Sequence, residues 1–242
     1  MDSDLPAAPD LLRRHALLLD IDGTLLDIAP RPDAVRVPPG LPGLLNSLHA
    51  QLGGGLALVT GRPLEQAQAL LGPLPTAAEH GAVLHIPPAP PRRLALPRVP
   101  YAWQLATTAL LHAHPGTLLE LKHGGFVLHY RGAPDAGPAL EAALRPLLAA
   151  DPRFELLPAA MAWEIRPAGA DKGRALRALM TVPGFAGRLP LFIGDDVTDL
   201  AAIDAARALG GIGLHMADSF GTPGRLRQWL MTLQENAPWL AS

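Results

Sequence analysis

His15-Ala16-Leu17-Leu18-Leu19-Asp20-Ile21-Asp22-Gly23-Thr24 is the stretch whose reading decides the fold. It begins as a continuous apolar run that ends in a carboxylate, the look of a strand buried on both faces, as in a parallel sheet covered by helices. Two carboxylates two residues apart at such a strand end can share one small site, where their repulsion requires a cation or a proton to compensate. Gly23 allows a sharp turn there. Taken alone, the same residues also read as a turn with solvated acids.

Working outward, the same alternation recurs. Leu41–Leu52 places Leu44, Leu45, Leu48 and Leu52 at helical spacing, and Gly53–Gly55 stops that helix. Leu56–Thr60 reads as a second buried strand. Pro63 opens a helix to about Leu71, at a position where no amide proton is needed. Towards the C-terminus, Asp171–Met180 reads as a helix, Leu189–Ile193 as a strand, Val197–Arg207 as a helix, Ile212–Leu214 as a short strand and Arg225–Leu233 as a last helix. Alternating β and α elements predict an α/β fold, a Rossmann-like parallel sheet with helices on both faces.

The middle breaks the pattern. The proline-rich stretch Pro87–Pro100 cannot sit inside a sheet or helix and reads as a stiff connector or hinge. A helix over Trp103–His112 follows. Strands Leu118–His123 and Phe126–Arg131 flank the Gly124-Gly125 pair, then come a helix over Pro138–Ala150 and strands over Phe154–Leu157 and Met161–Arg166. This is a small α+β insertion, so the expected domains are a core of residues 1–96 and 168–242 with an inserted unit of 97–167. Leu118, Glu120 and Lys122 share one strand face, as do Ala162, Glu164 and Arg166. Leu119 and Leu121, with Met161, Trp163 and Ile165, take the other, which can pack on the helices of Trp103 and Leu144. The polar face reads either as solvated, which antiparallel sheets commonly show, or as a ligand surface for sugar hydroxyls.

Composition narrows the function without naming it. In 242 residues, 49% are hydrophobic and 17% charged, which supplies a core and excludes disorder. Twenty basic against 22 acidic residues give a net charge of −2 and no footprint for nucleic acid or an anionic membrane. The absence of cysteine excludes disulfides, thiolate zinc sites and cysteine nucleophiles. Met1–Asp10 is acidic and does not read as a signal peptide, and no apolar run approaches the ~18 residues of a membrane span. A cytoplasmic protein, and a monomer, is the expectation.

Three further signals follow core strands, at the sheet edge where open α/β sheets bind ligands. Thr60-Gly61-Arg62-Pro63 combines a hydroxyl, backbone amides and a helix N-terminus, an anion site or an ordinary N-cap. Lys172, in Asp171-Lys172-Gly173, opens a helix whose dipole it opposes, so it is either placed for chemistry or simply a surface lysine. Gly194-Asp195-Asp196-Val197-Thr198-Asp199 gathers three acids in five residues, the hard oxygen donors of a divalent cation or an acidic N-cap. His80, His85, His112, His114 and His123 show no metal-ligand spacing, and His129 and Arg131 read as structural.

The ordered set of these four motifs resembles the haloacid dehalogenase (HAD) superfamily of aspartate-nucleophile phosphatases. Ala78-Glu79-His80-Gly81-Ala82, Glu120-Leu121-Lys122, His129-Tyr130-Arg131 and Trp163-Glu164-Ile165-Arg166-Pro167 extend the resemblance to the trehalose-6-phosphate phosphatase family, whose C2-type cap domain would be the insertion. Leu200 and Ile203 stand where that family often carries Glu and a bulky aromatic, a departure that bears on the sugar and not on the phosphatase chemistry. The resemblance implies Asp20 as nucleophile, Asp22 as general acid and base, and Thr60 and Lys172 at the phosphoryl group. It implies Mg2+ held by Asp20, the backbone carbonyl of Asp22 and Asp195, with Asp196 and Asp199 ordering the shell. Gly61, Arg62, Glu120, Lys122 and Glu164 are the implied substrate contacts. Open alternatives are another sugar phosphate such as sucrose 6-phosphate or mannosyl-3-phosphoglycerate, a phosphotransferase, and a non-catalytic regulatory module.

Overall fold

The computed structural model describes residues 8–29, 34–93, 97–122 and 124–236. The N-terminal residues 1–7, part of the proline-rich connector (94–96) and His123, all of which entered the reading above, lie outside them. The chain forms two compact units, one of Met1–Arg93 with Asp171–Ser242 and one of Leu94–Ala170, against the 97–167 read from the sequence.

The first unit runs α1 (Ala8–Arg14), β1 (His15–Leu19), α2 (Leu41–Gln51), β2 (Leu56–Val59), α3 (Leu64–Leu71), β3 (Thr76–Ala78), β4 (Val83–His85) and β5 (Arg92–Arg93). The second runs α4 (Tyr101–Ala113), β6 (Leu118–Leu121), β7 (Phe126–His129), α5 (Gly137–Ala150), β8 (Phe154–Ala159) and β9 (Ala162–Pro167). The chain returns to the first unit through α6 (Lys172–Leu179), β10 (Leu189–Gly194), α7 (Leu200–Ala208), β11 (Ile212–His215), α8 (Met216–Ser219) and α9 (Pro223–Glu235). The seven-stranded sheet has the order β11-β10-β1-β2-β3-β4-β5. Its first five strands are parallel, and β4 and β5 are added antiparallel.

Alternation along β1 divides the core in two, because successive side chains leave opposite faces of the sheet. Leu17 and Leu19, with Leu56, Leu58, Leu191 and Ile193, pack on Leu41, Leu45 and Leu48 of α2 and Leu226, Leu230 and Leu233 of α9. Ala16 and Leu18, with Ala57, Val59 and Phe192, pack on Leu176 and Leu179 of α6 and Ala202 and Ala206 of α7. Burying both faces explains why the run is apolar without a break. Register then assembles the site. Leu19 pairs with Ile193 on one side and Leu58 on the other, so Asp20, Asp195 and Thr60, just beyond these residues, leave the sheet at one edge.

Three local readings are corrected. The proline-rich stretch does contribute to the sheet, since Arg92–Arg93 pairs with β4. An edge strand of two non-proline residues escapes the penalty that excludes proline from a central one. The helix read from Val197 begins only at Leu200, after a 3-10 turn over Val197–Asp199. The hairpin strands end earlier than read, at Leu121 and His129, and Lys122 N donating to Gly125 O at 3.0 Å closes the turn between them.

In the second unit the antiparallel sheet is ordered β6-β7-β9-β8. Phe126 pairs with Ile165 and Leu128 with Trp163. These four side chains cluster with Leu119, Trp103 of α4 and Leu140 and Leu144 of α5. The other face carries Glu120, Lys122, His129, Glu164 and Arg166.

Candidate active site

Asp20 directly follows β1, its amide donating to Ile193 O at 3.0 Å. Lys172 is the first residue of α6 and is 3% exposed. Its ammonium donates to Asp20 Oδ1 at 2.7 Å and to Asp199 Oδ1 at 2.6 Å. A lysine at a helix N-terminus is unfavourable unless something local repays it, and two buried carboxylates do so. They raise its pKa further, against the burial that would lower it. Burial pushes the Asp20 carboxyl well above the usual carboxylate range; Lys172 opposes this, while Asp199 and Asp195 add to it. Asp195 is pushed up to about 6, by burial first and then by Asp199 and Asp196.

The three acids of the second acidic motif do different things. Asp199 is fully buried, and its Oδ2 accepts the amides of Asp195 at 3.1 Å and Asp196 at 3.0 Å. Asp195 comes within reach of Thr24, whose hydroxyl donates to its Oδ1 at 3.4 Å. Asp196 is exposed and caps the 3-10 turn, accepting from Val197 N at 2.6 Å. Two glycines make room for this loop. A Cβ on Gly23, which has φ 72°, would enter the Asp195 carboxylate, and one on Gly194 would enter that of Asp199.

Asp20, Asp195 and Asp199 each offer an oxygen within 4.8 Å of the others, and this group could hold a metal ion. Three carboxylates against one ammonium leave excess negative charge in a buried place, and oxygen-only donors suit a hard divalent cation. The carboxylates of Asp22 and Asp196 do not join this group. Asp22 accepts instead from a forked guanidinium, Arg62 Nε and Nη2 each donating at 2.6 Å. Arg62, expected at the substrate, is thus engaged by Asp22 and by Gln66 Oε1 at 3.3 Å.

Thr60 is buried, and its Oγ1 accepts from Arg62 N at 3.1 Å, which leaves its own proton to donate. The turn after β3 braces this loop from behind. Glu79 and His80 both take left-handed backbone angles, φ 50° and 54°. Glu79 N donates to Arg62 O and His80 N to Thr60 O, each at 3.0 Å. A Cβ on Gly61 would come within 2.6 Å of His80 Nε2, so glycine is required for the ring to lie against the loop. The sequence marks His80 within the Ala78–Ala82 motif and finds no metal-ligand spacing for it, but it does not show the packing of its ring against Gly61.

On the polar face of the second unit, Lys122 Nζ lies 2.8 Å from Glu164 Oε1 and His129 Nε2 lies 2.9 Å from Glu120 Oε2. Glu120, Lys122 and Glu164 therefore share one face, as expected.

A parallel α/β sheet with a buried carboxylate after its first strand, a lysine bonded to it and an acidic loop beside it is a fold of the haloacid dehalogenase type, similar to a phosphatase of that superfamily from Bacteroides thetaiotaomicron with TM-score 0.53 at 17% identity over 88% of this chain and 87% of that one. The chain belongs to the trehalose-phosphatase family, whose model matches residues 18–219. It is 43% identical over 208 residues to the probable trehalose-phosphate phosphatase of Sinorhizobium fredii, covering 85% of this chain and 78% of that one. It is 34% identical over 241 residues to the trehalose-6-phosphate phosphatase of Escherichia coli, covering 95% and 86%. In structure it is similar to the C-terminal domain of the C. albicans trehalose-6-phosphate phosphatase, with TM-score 0.77 at 21% identity over 96% of this chain and 98% of that one. Among the described residues, no helix is long and apolar enough to cross a membrane.

Proposed function

We propose that the protein hydrolyses trehalose 6-phosphate to trehalose and inorganic phosphate. The observation that carries this reading is Asp20, buried at a strand end between Lys172 and the Asp195–Asp199 loop, in a chain of the trehalose-phosphatase family.

Lys172 occupies Asp20 Oδ1 and leaves Oδ2 to attack phosphorus in line. The new Oδ2–P bond forms as the P–O bond to the sugar breaks, giving an aspartyl-phosphate. Asp22 gives a proton to the leaving sugar oxygen, then takes one from the water that attacks the aspartyl-phosphate. For this it must come out of the fork of Arg62, which makes Arg62 the group that holds Asp22 between turnovers. The Thr60 hydroxyl, the Gly61 amide and the Lys172 ammonium meet the charge on the phosphoryl oxygens, and such preset donors supply most of the acceleration in this chemistry. Asp20, Asp195 and the backbone carbonyl of Asp22 would hold Mg2+, with Asp196 and Asp199 fixing the loop; when bound, it neutralises charge that Lys172 alone leaves uncompensated. Glu120, Lys122 and Glu164 take the sugar hydroxyls, which makes the second unit the cap of the family. The expectation of a cytoplasmic monomer goes with this reading; size-exclusion chromatography checks the monomer and cell fractionation the compartment.

Asp20→Asn tests the reading. It should abolish phosphate release from trehalose 6-phosphate while thermal unfolding stays cooperative, because Lys172 keeps its bond to Asp199 and the acid cluster loses one like charge. Turnover at the wild-type rate would remove Asp20 as nucleophile.

A further inference from the structure

His129, on the polar face of the second unit, is a titratable group with no task in the scheme above. His129 ends β7, and its register partner on β6 is Leu118, while Glu120 pairs with Val127. His129 and Glu120 are therefore diagonal neighbours on one face, within reach of long side chains. The imidazole Nε2 lies 2.9 Å from Glu120 Oε2. A carboxylate can only accept, so Nε2 carries the proton and donates. The two side chains are 22% and 18% exposed, which makes the bond stronger than a solvated one and its loss more costly.

The other charges on the face do not replace it. The Lys122 ammonium is bonded to Glu164. Arg166 Nε is bonded to Glu155 Oε1 at 2.7 Å. Lys122 attracts Glu120 through its charge but is not bonded to it, and Glu164 repels it across the face. Without the imidazole, a largely buried carboxylate with several rotamers would lie between the charges of Lys122 and Glu164 with no bonded donor to fix it. With it, Oε2 is fixed and Oε1 is left to accept from a ligand.

We propose that His129 is a positioning residue for sugar recognition, holding Glu120 so that its Oε1 accepts a hydroxyl of the sugar. The proposal rests on the reading that the sugar binds this polar face. His129 contributes no proton to phosphoryl transfer, so its effect falls on substrate binding and only through Glu120.

Steady-state kinetics on trehalose 6-phosphate and on p-nitrophenyl phosphate, both with Mg2+, test it in His129→Phe, His129→Gln, Glu120→Ala and the Glu120→Ala/His129→Phe double variant. His129→Phe should raise KM for trehalose 6-phosphate by about 5- to 100-fold, the range for a buried partner lost from a polar site. Its kcat should fall much less, and the loss on p-nitrophenyl phosphate should be smaller than on the sugar. His129→Gln, which keeps a donor, should recover part of the KM. The double variant should be no worse than Glu120→Ala, because a residue that acts through another adds nothing once that other is gone. If Glu120→Ala impairs the sugar substrate but His129→Phe does not, or if the two losses multiply, the positioning role is overturned while the sugar reading stands. Equal losses of His129→Phe on both substrates overturn the positioning role in favour of a folding one. If Glu120→Ala leaves trehalose 6-phosphate kinetics unchanged, both the proposal and the sugar assignment of this face fall.

Discussion

Replacing Lys172 with alanine removes the one ammonium bonded to both Asp20 and Asp199. The lysine side chain is 3% exposed and its partners 5% and 0%, so solvent cannot take over its role. Breaking a buried ion pair by deleting one partner costs about 3–5 kcal/mol, because the charge left behind is uncompensated. For a chain of this size each 1 kcal/mol moves Tm by roughly 2–4 °C, so a drop of about 6–20 °C is expected in metal-free buffer. Asp20 can relieve the strain by taking up a proton, since burial and its acidic neighbours already push its carboxyl well up. An acid whose pKa is raised on folding favours the folded state at low pH and loses that advantage as pH rises. The deficit of Lys172→Ala should therefore be largest in mildly alkaline buffer and shrink in acid. Differential scanning fluorimetry across that range measures it, with Lys172→Met alongside to keep the stem's volume. Similar drops in both variants assign the loss to the charge. A Tm equal to wild type in mildly alkaline, metal-free buffer would refute the burial of Lys172 between these carboxylates.

Two further predictions come from the same site. The Asp195 carboxyl, held at about 6, should make Mg2+ binding weaken in acid. In metal-free protein this group stabilises the fold below its ordinary value of 3.8, and the contribution is lost as pH rises through about 6. The gain in Tm on adding Mg2+ should therefore grow as pH rises through that value, and a gain independent of pH would contradict it. Gly23→Ala should cost about 1–3 kcal/mol for a side chain at positive φ. It should also lower phosphate release by roughly 100-fold, because its Cβ displaces the Asp195 carboxylate by an appreciable part of an ångström or more. Full activity in a folded Gly23→Ala protein would contradict the placement of that loop.

The parallel core was legible because its strands are buried on both faces, which leaves an unbroken apolar run, and because each site motif ends such a run. Lys172 was half legible: a cation at a helix N-terminus opposes the dipole, which marked it as either placed for chemistry or a surface lysine, and only the fold shows the two buried acids that hold it. Short elements escaped. β3 and β4 have three residues each, too few for any period to show, and β5 lies where proline dominates. The division of labour among Asp195, Asp196 and Asp199 was also illegible. Spacing shows that three acids are close, but only the backbone turn shows that Asp196 faces outwards as a cap while Asp199 turns in. The fork between Arg62 and Asp22 joins residues forty positions apart, a contact that no local pattern encodes. The alternation on β6 and β9 did show the polar face, yet not the pairing of His129 with Glu120, which depends on cross-strand register.

The central claim, hydrolysis of trehalose 6-phosphate at Asp20, is tested most directly by initial rates of phosphate release over a panel of sugar phosphates with Mg2+. The panel holds trehalose 6-phosphate, sucrose 6-phosphate, mannosyl-3-phosphoglycerate and glucose 6-phosphate, with Asp20→Asn run beside the wild type as control. The account predicts the highest kcat/KM for trehalose 6-phosphate, free phosphate and free trehalose in equal amounts, and no release by Asp20→Asn. A higher kcat/KM for another member of the panel, or phosphate passed to a second sugar and not to water, would contradict it.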